Sequence, residues 1–470
     1  MSIPSTEPRG FSARMQGLIH GDGLKARAMR GSVLSTANFA GGQLLRLISN
    51  LILTRLLFPE AFGLMAIVQV FLVGLAMFSD IGLNSAIVQS KRGDDPAFLN
   101  TGWTMQVIRG FLLWMMTWAL AGPAAEFYGQ EILRQLLPAV GLTALLQGFL
   151  STKVVTAQRH LMLGRVTVLE LGSQAVTIVV TIGLAMIWPS VWVIVVGGII
   201  GMCSKVALSH FYFPGPTNRF QFERTAFGEL FNFGKFIFLS SICGFLINNG
   251  DRAILGKFVS LTELALYNIA FFFASVPLLL TMRLVNQVMM PLYRERPTEE
   301  SAENRRDIAK ARAMITGTMM TGALILALIG DWMIRFLYTP EYHEAGPILV
   351  FFALAVLPGV MITSYSTLLM GRGNSRGFFL ILLFTAIVQT AALYFGVGHY
   401  GIVGAVFAQT IAAIATYPLI LVMLRPYQGW DLRHDIGFGL IALMIVLLVF
   451  TLKSSALADF LALIPIETSQ

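Results

Sequence analysis

Residues 41–64, with the sequence GGQLLRLISNLILTRLLFPEAFGL, contain the feature on which the interpretation of this chain depends. They lie in an apolar run long enough to cross a bilayer, yet Arg46 is near the middle of that run. An arginine at membrane depth costs about 3 kcal/mol on insertion scales, so a water-filled cavity, a paired acid or an anionic ligand must satisfy it. Arg55 points the opposite way near the helix end and can reach the membrane interface. One helical face, about 80° wide, carries four polar residues: Gln43, Arg46, Asn50 and Thr54.

The composition is that of a polytopic membrane protein. Of the 470 residues, 56% are hydrophobic and 12% are charged, whereas soluble domains carry roughly 25% charged residues. The two cysteines lie in apolar runs, and the histidines lack metal-ligand spacing, so no disulfide framework, metal or cofactor is predicted. The net charge of +8 fits the basic bias of cytoplasmic loops, and we expect no nucleic-acid partner.

Apolar runs of about twenty residues predict thirteen membrane spans, and the short apolar piece 456–466 leaves a fourteenth open. Basic residues cluster in alternate connections, so the N-terminus is expected in the cytoplasm. The polar first thirty residues precede a run too long for a signal-peptide core and are expected to form a cytoplasmic tail. The predicted spans are 33–57, 62–85, 101–121, 134–157, 165–187, 190–212, 232–258, 264–290, 311–337, 345–370, 377–397, 400–424 and 435–453.

The spans divide into two similar halves of six. A short external turn with Glu60 in the first half corresponds to a turn with Glu263 in the second. The basic loop at 158–165 corresponds likewise to that at 369–376. Since six is even, the halves enter the membrane in the same direction, and a pseudo-two-fold axis along the membrane normal would relate them.

The predicted fold is therefore an all-α polytopic membrane protein with two six-helix lobes and one or two extra C-terminal helices. Its parts are a cytoplasmic N-terminal tail, the first lobe, a cytoplasmic linker, the second lobe, and an extra transmembrane segment with its tail. Their boundaries are 1–31, 32–213, 214–231, 232–425 and 426–470.

A second polar group interrupts the seventh span at 248–252, with the sequence NNGDR. Ser241, Asn248 and Arg252 share a helical face, and Asp251 lies at its edge. One interpretation is the wall of a cavity, and the other is a self-contained pair of Asp251 with Arg252 at a helix end. Adjacent helical residues point about 100° apart and pair poorly, which favours the cavity wall.

Further charges lie at membrane depth. Arg109 accompanies Gln106 in the third span and Glu170 lies in the fifth, whereas Lys205 and Asp331 are near span ends and can reach the interface. Asp80 and Arg283 occupy equivalent positions in the two halves. We expect these two to approach each other and help close the cytoplasmic side in an outward-open state.

Four short motifs give the chain a family resemblance over residues 30–424. It resembles the bacterial polysaccharide flippases of the multidrug/oligosaccharidyl-lipid/polysaccharide exporter superfamily. The resemblance implies a V-shaped pair of lobes in the bacterial inner membrane and alternating access coupled to an ion gradient. It also implies an undecaprenyl-diphosphate-linked oligosaccharide as cargo, with membrane lipids and polysaccharide polymerase and export machinery as partners. The motifs are the turn at 55–64, DIGLNSA at 80–86, DRAILG at 251–256 and YNIA at 267–270.

Such a cargo suits the candidate residues. Guanidinium groups of Arg46, Arg109, Arg252 and Arg283 match phosphate oxygens, and the side chains of Gln43, Asn50 and Asn248 can bind sugar hydroxyls. No catalytic residue is needed, because transport breaks no bond. The acid that couples proton flow is left open among Asp80, Glu170 and Asp251.

Other functions remain open at this point. An ion-coupled drug exporter would be expected to have a more acidic cavity, whereas a lipid II flippase would have similar chemistry. A membrane polysaccharide polymerase or ligase would typically carry a sizeable external loop, and an assembly scaffold would not require buried arginines. The sequence also leaves open the sugar composition, exopolysaccharide or lipopolysaccharide as product, the coupling ion and the oligomeric state.

Overall fold

The structure, a computed structural model, describes residues 24–79 and 82–464, without the side chains of 24–37 and 231–238. All regular elements in these ranges are helical, which confirms the predicted all-α class. The first helices of the chain are α1 Leu24–Leu53, α2 Pro59–Phe78, α3 Leu83–Gln89, α4 Pro96–Tyr128, α5 Leu133–Gly148, α6 Lys153–Arg159, α7 Leu163–Ile187 and α8 Val191–Phe211.

The later helices follow the polar linker. A π-helical segment, Val285–Met289, joins α11 to α12, and a 3₁₀ turn, Pro340–Tyr342, precedes α14. These helices are α9 Arg224–Phe258, α10 Leu261–Ala274, α11 Val276–Leu284, α12 Met290–Glu295, α13 Ala302–Leu337, α14 Ala345–Ala355, α15 Leu357–Gly371, α16 Ser375–Leu424, α17 Leu432–Leu452 and α18 Ser454–Leu461.

Many of these helices can cross a membrane. In the described part of the chain, seven are long and apolar enough, or ten if each of three bent helix pairs forms one span. Helix α16 changes direction at Gly401, whose φ of 55° and ψ of −131° lie outside the helical region. Its two arms match the predicted eleventh and twelfth spans. The polytopic membrane class is thereby confirmed.

By compactness the chain forms two units. Unit 1 holds the described residues up to Leu56 together with Ser79–Pro123 and Ile132–Ile237. Unit 2 holds Leu57–Phe78, Ala124–Glu131 and the described residues from Phe238 onward. Helix α2 is thus packed within unit 2, although it precedes most of unit 1 in sequence. The six-helix lobes were predicted from a repeat, not from compactness, and their boundaries stay a prediction.

The two turns that mark the repeat meet inside unit 2. Ser260 caps α10 in a capping box with Glu263, in which each side chain bonds the other residue's backbone N–H. The Thr262 hydroxyl donates to Glu60 Oε1 at 3.0 Å. A Cβ atom on Gly63 would lie 2.0 Å from the backbone oxygen of Leu261. Only glycine therefore allows α2 to approach the start of α10 this closely.

The linker before α9 is docked on unit 1 by an ion-pair cluster outside the membrane spans. The Arg92 guanidinium donates from Nε to Asp95 Oδ2 at 3.0 Å and from Nη2 to Glu223 Oε2 at 2.8 Å. Hydrogen bonds from Arg92 hold the pKa of Asp95 and that of Glu223 below their usual ranges. Whatever stability the cluster gives is present above the unfolded carboxyl pKa and is lost as the pH falls through the lowered values.

The C-terminal tail packs against other helices of unit 2. After α17, the eight-residue helix α18 buries Ala456 and Phe460. The Phe460 ring stacks on Phe351 with the centroids 4.5 Å apart. Eight residues rise about 12 Å, far less than the hydrocarbon core requires. The described part of the tail is therefore a short packed helix.

The Gly63 contact gives a first test of this packing. The Gly63→Ala variant is expected to lose about 1–3 kcal/mol of stability, since the added methyl overlaps the backbone of Leu261. The control is Gly198→Ala in α8, where a Cβ meets nothing within 4 Å. Melting temperatures of the purified proteins in detergent measure both. Equal melting temperatures for the two variants would contradict the close approach.

Candidate functional site

The polar face of α1 is present in unit 1. Arg46 is exposed, Gln43 and Asn50 are half-buried, and Thr54 is buried at the end of the helix. The Thr54 hydroxyl donates to the backbone oxygen of Leu51 at 3.2 Å, so Thr54 is satisfied within its own chain segment. Among the described residues of unit 1, no acidic side chain forms an ion pair with Arg46. The Arg46 guanidinium is therefore available to an external anion.

The two polar residues of the third span have different surroundings. The half-buried Arg109 donates from Nε to Ser79 Oγ at 2.9 Å. Gln106 instead donates to the backbone oxygen of Gln147 at 2.9 Å, where α4 packs on α5. The Gln106 side chain thus stabilises a helix interface. Of these two residues, Arg109 stays the candidate for binding the cargo.

Glu170 and Lys205 form an ion pair between α7 and α8. The Lys205 ammonium lies 2.8 Å from Glu170 Oε2, with both side chains partly exposed. Lys205 was expected to reach the interface, whereas the structure gives it a charged partner. The pair gives Glu170 a structural role, and its predicted part in ion coupling stays a prediction.

The interrupted seventh span is the polar stretch of α9 in unit 2. Asp251 is buried, and its Oδ2 accepts a hydrogen bond from the Tyr267 hydroxyl at 2.8 Å. Arg252 Nε donates to Asn268 Oδ1 at 2.5 Å, and its guanidinium carbon lies 4.4 Å from the centre of the Phe271 ring. These partners belong to α10 and hold the Arg252 guanidinium in place.

Asp251 and Arg252 are not simply each other's partner. The Arg252 Nη1 atom is 3.9 Å from Asp251 Oδ1, at the outer limit of an ion pair, and it donates to the backbone oxygen of Asn248 at 3.2 Å. The sequence had left open a self-contained pair or a cavity wall. Asp251 Oδ1 accepts a hydrogen bond from the backbone N–H of Arg252 at 2.8 Å, whereas the Arg252 guanidinium makes its hydrogen bonds to Asn268 and Asn248, as expected for side chains at adjacent helical positions.

The predicted cytoplasmic gate lies outside the described residues, because Asp80 is not among them. Arg283 is half-buried in α11 and has an interaction partner. Their predicted approach to each other stays a prediction.

A carboxylate at the start of α17, with its side chain 10% exposed, was missed from the sequence. Asp435, in the first turn of α17, accepts hydrogen bonds from the Tyr365 hydroxyl at 2.6 Å and from Trp430 Nε1 at 2.9 Å. It is also bonded to the Tyr417 hydroxyl, and His434 Nδ1 lies 3.0 Å from its Oδ1. Four partners from three helices and a loop satisfy one carboxylate, which attaches α17 to the neighbouring helices of unit 2.

A fully buried arginine lies beside this network. Arg312, in α13, is 1% exposed, and its guanidinium carbon is 4.0 Å from the centre of the Tyr365 ring. Its Nη2 donates to the Tyr293 hydroxyl at 3.1 Å and to the Gly429 oxygen at 3.2 Å. Arg312 was not singled out from the sequence, where it lies at the start of the predicted span 311–337; the structure places it ten residues after the first residue of α13. A charge near the edge of a predicted span, matched by tyrosines in neighbouring spans, is the signal that could have found both groups.

The fold defines a class of protein, a polytopic membrane protein built from helices. The solved structure titled "Lipid II flippase MurJ, inward closed conformation" matches with a TM-score of 0.70 at 14% identity, over 92% of this chain and 97% of the other. At this identity the likeness shows the fold alone. It confirms the predicted two-lobe transporter fold.

The family is shown by sequence. The protein-family model described as "Polysaccharide biosynthesis protein" matches residues 52–347, more than half of the chain. This chain belongs to that family, and its resemblance to the polysaccharide flippases is confirmed.

Two curated relatives agree. The succinoglycan biosynthesis transport protein ExoT of Rhizobium meliloti (strain 1021) is 22% identical over 375 residues, which cover 78% of this chain and 73% of the relative. The teichuronic acid biosynthesis protein TuaB of Bacillus subtilis (strain 168) is 22% identical over 339 residues, with coverages of 70% and 69%.

The network around Asp435 gives a second test. The Asp435→Asn variant is expected to lower the melting temperature, because an amide cannot accept all the hydrogen bonds that the carboxylate accepts. Each donor left unpaired in a buried site costs about 1–3 kcal/mol. The exposed Asp459 in α18 provides the matched control, Asp459→Asn, for which no change is expected. If the two variants have the same melting temperature, the network does not attach α17 to the neighbouring helices of unit 2.

Proposed function

We propose that this protein flips an undecaprenyl-diphosphate-linked oligosaccharide across the bacterial inner membrane by alternating access. It acts as a transporter, not an enzyme, in exopolysaccharide or lipopolysaccharide biosynthesis. The observation that carries the proposal is the set of guanidinium groups within predicted membrane spans in a chain of the polysaccharide biosynthesis family. A diphosphate is the anionic part of such a cargo, and a guanidinium fork matches its oxygens.

The cargo-binding residues are assigned by chemistry. Arg46, Arg109 and Arg252 bind the diphosphate, supported by the exposure of Arg46 and the half-buried positions of the other two. Gln43, Asn50 and Asn248 bind sugar hydroxyls, since a carboxamide offers a donor and an acceptor side by side. The proposal needs no general base and no nucleophile.

Ion coupling is proposed at the acids that the transport cycle could protonate. Asp251 is supported by its burial and by its bond to Tyr267, which a change of protonation would alter. Glu170 is a second candidate, and the coupling ion would then replace the Lys205 ammonium as the partner of its carboxylate. Asp80 and Arg283 remain the proposed gate of the cytoplasmic side.

The orientation and the partners belong to the same proposal. The alternating basic connections support an N-terminus in the cytoplasm. A flippase delivers its cargo to the outer leaflet, where polysaccharide polymerase and export machinery would receive it. Membrane lipids surround the apolar helices throughout.

Arg46 allows a sharp test in cells. The Arg46→Ala variant is expected to reduce transport by about tenfold or more, which corresponds to about 1.4 kcal/mol of lost interaction with the diphosphate. The matched control is Arg55→Ala, since Arg55 is exposed beyond the end of α1 and is expected to be an interfacial anchor. The assay measures the fraction of lipid-linked oligosaccharide that a membrane-impermeant label reaches in intact spheroplasts, at matched levels of protein in the membrane.

Deletion of the protein separates the alternatives. Accumulation of lipid-linked oligosaccharide on the cytoplasmic leaflet is the expected result. A normal leaflet distribution with unpolymerised units outside would favour a polymerase or ligase and contradict transport. Unchanged polysaccharide with accumulation of lipid II, or with increased drug sensitivity, would instead favour the lipid II flippase or the drug exporter. Wild-type transport in Arg46→Ala would remove that residue from the site.

A further inference from the structure

Unit 2 contains a cavity whose walls come from several helices. Its volume is about 440 Å³, within the range of roughly 300–1,000 Å³ that is usual for small-molecule sites. The lining residues belong to α9, α10, α11, the π-helical segment, α14, α15 and α16. Straight helices packed side by side would fill this space, so the helices around the cavity must deviate from regular packing.

Irregular backbone at three places provides that room. Ser275 is the residue between α10 and α11, which bend by 41°, and Val356 is the residue between α14 and α15, which bend by 40°. Both residues line the cavity, as does Asn286 in the π-helical segment. Broken helices at membrane depth are tolerated where the backbone lines a cavity, and π segments are frequent at functional sites. The three irregularities therefore point to a built site.

The cavity is polar without being charged. Among the described residues that line it, none is acidic or basic. Several hydroxyls are already satisfied within their own helices: Thr363 donates to the Gly359 oxygen at 2.6 Å, and Thr385 donates to the Ile381 oxygen at 2.8 Å. The polar groups best placed to serve a ligand are four carboxamides, Asn248, Asn286, Gln389 and Gln409.

Two of these carboxamides have unused hydrogen-bonding capacity in buried surroundings. Gln389 is 8% exposed, and its Nε2 donates to the Ile247 oxygen at 2.9 Å. Its side-chain carbonyl oxygen is left to accept a hydrogen bond from a ligand. The buried Nε2 of Gln409 has no hydrogen-bond partner among the described residues. A buried donor without a partner is costly in a folded protein and requires an explanation. A hydroxyl-bearing ligand would satisfy it once the Gln409 side chain turns towards the cavity that this residue lines.

The Arg252 guanidinium adjoins the same cavity. It donates to the backbone oxygen of Asn248 at 3.2 Å and lies 4.4 Å from the centre of the Phe271 ring, and both of these residues line the cavity. A cation is thus placed beside an uncharged chamber. This arrangement matches a ligand with an anionic group joined to a neutral, hydroxyl-bearing one.

We propose that this cavity binds uncharged sugar residues of the lipid-linked cargo, next to the diphosphate at Arg252. The assignment rests on the proposed transport function and adds a selectivity to it. The carboxamides of Asn286, Gln389 and Gln409 bond sugar hydroxyls, and Phe271 and Phe378 provide apolar faces for the sugar ring. With Arg252 occupied by the diphosphate, a sugar carboxylate entering this chamber would be buried without a counter-charge, which is strongly unfavourable. The site therefore selects neutral sugars at that end of the cargo.

The test compares two ligands on the purified full-length protein in detergent. One is the radiolabelled lipid-linked oligosaccharide extracted from cells that lack the protein, and the other is undecaprenyl diphosphate, which has no sugar. The near-isosteric variants Gln409→Met and Asn286→Leu remove a carboxamide at little change in volume. The control is Gln135→Met, an exposed glutamine of α5 outside the cavity.

Both cavity variants are expected to bind the lipid-linked oligosaccharide about tenfold more weakly while binding undecaprenyl diphosphate as the wild type does. Gln409→Met is also expected to keep or raise the melting temperature, because it removes a buried donor that lacks a partner. A structural role for Gln409 would instead lower the melting temperature and weaken both ligands equally.

The outcomes separate this assignment from the transport function. If the variants bind both ligands like the wild type, or lose both equally, the cavity is not the sugar site and the transport proposal stands. If the wild-type protein itself shows no preference for the lipid-linked oligosaccharide over undecaprenyl diphosphate, the sugar site is excluded in the same way. If the wild-type protein binds neither ligand, the proposed cargo is wrong as well.

Discussion

The structure depends on one constraint, which is that a polar group at membrane depth must be satisfied by a protein group, a ligand or a water-filled cavity, because lipid offers it no partner. The polar groups of unit 2 meet it with side-chain networks: Asp251 with Tyr267, Arg312 with two tyrosines, and Asp435 with four polar partners. Unit 1 meets it with the ion pair of Glu170 and Lys205. Arg46 is different, since it is exposed and lacks an acidic partner among the described residues. A guanidinium without an acidic partner among these residues is a natural place for an anionic cargo.

The fold class could be predicted from the sequence because hydropathy and the positions of charges report directly on membrane spans. The turns at Glu60 and Glu263 were recognised as equivalent, and the bond from Thr262 to Glu60 brings them together. The division of the chain into two compact units could not be predicted in this way. The packing of α2 with unit 2 depends on the absence of a side chain at Gly63, which a hydropathy pattern does not reveal.

The candidate site was only partly accessible to sequence reasoning. The polar faces around Arg46 and Arg252 follow from helical periodicity, and the structure describes the surroundings of both. Arg312 and Asp435 were missed because charges at the edges of spans are ordinarily expected to reach the interface. The cavity in unit 2 was missed for another reason. Its carboxamides come from α9, the π-helical segment and the two arms of α16, which are far apart in the sequence but meet at one chamber in the fold.

The central claim is that the protein itself moves a lipid-linked oligosaccharide between leaflets. Reconstitution tests it most directly: the purified protein is placed in vesicles that carry the labelled lipid in the inner leaflet, and its appearance outside is followed with a membrane-impermeant reagent. The account predicts that vesicles with the protein expose the glycan far faster than protein-free vesicles. Equal rates in the two kinds of vesicle, with and without an imposed ion gradient, would contradict it.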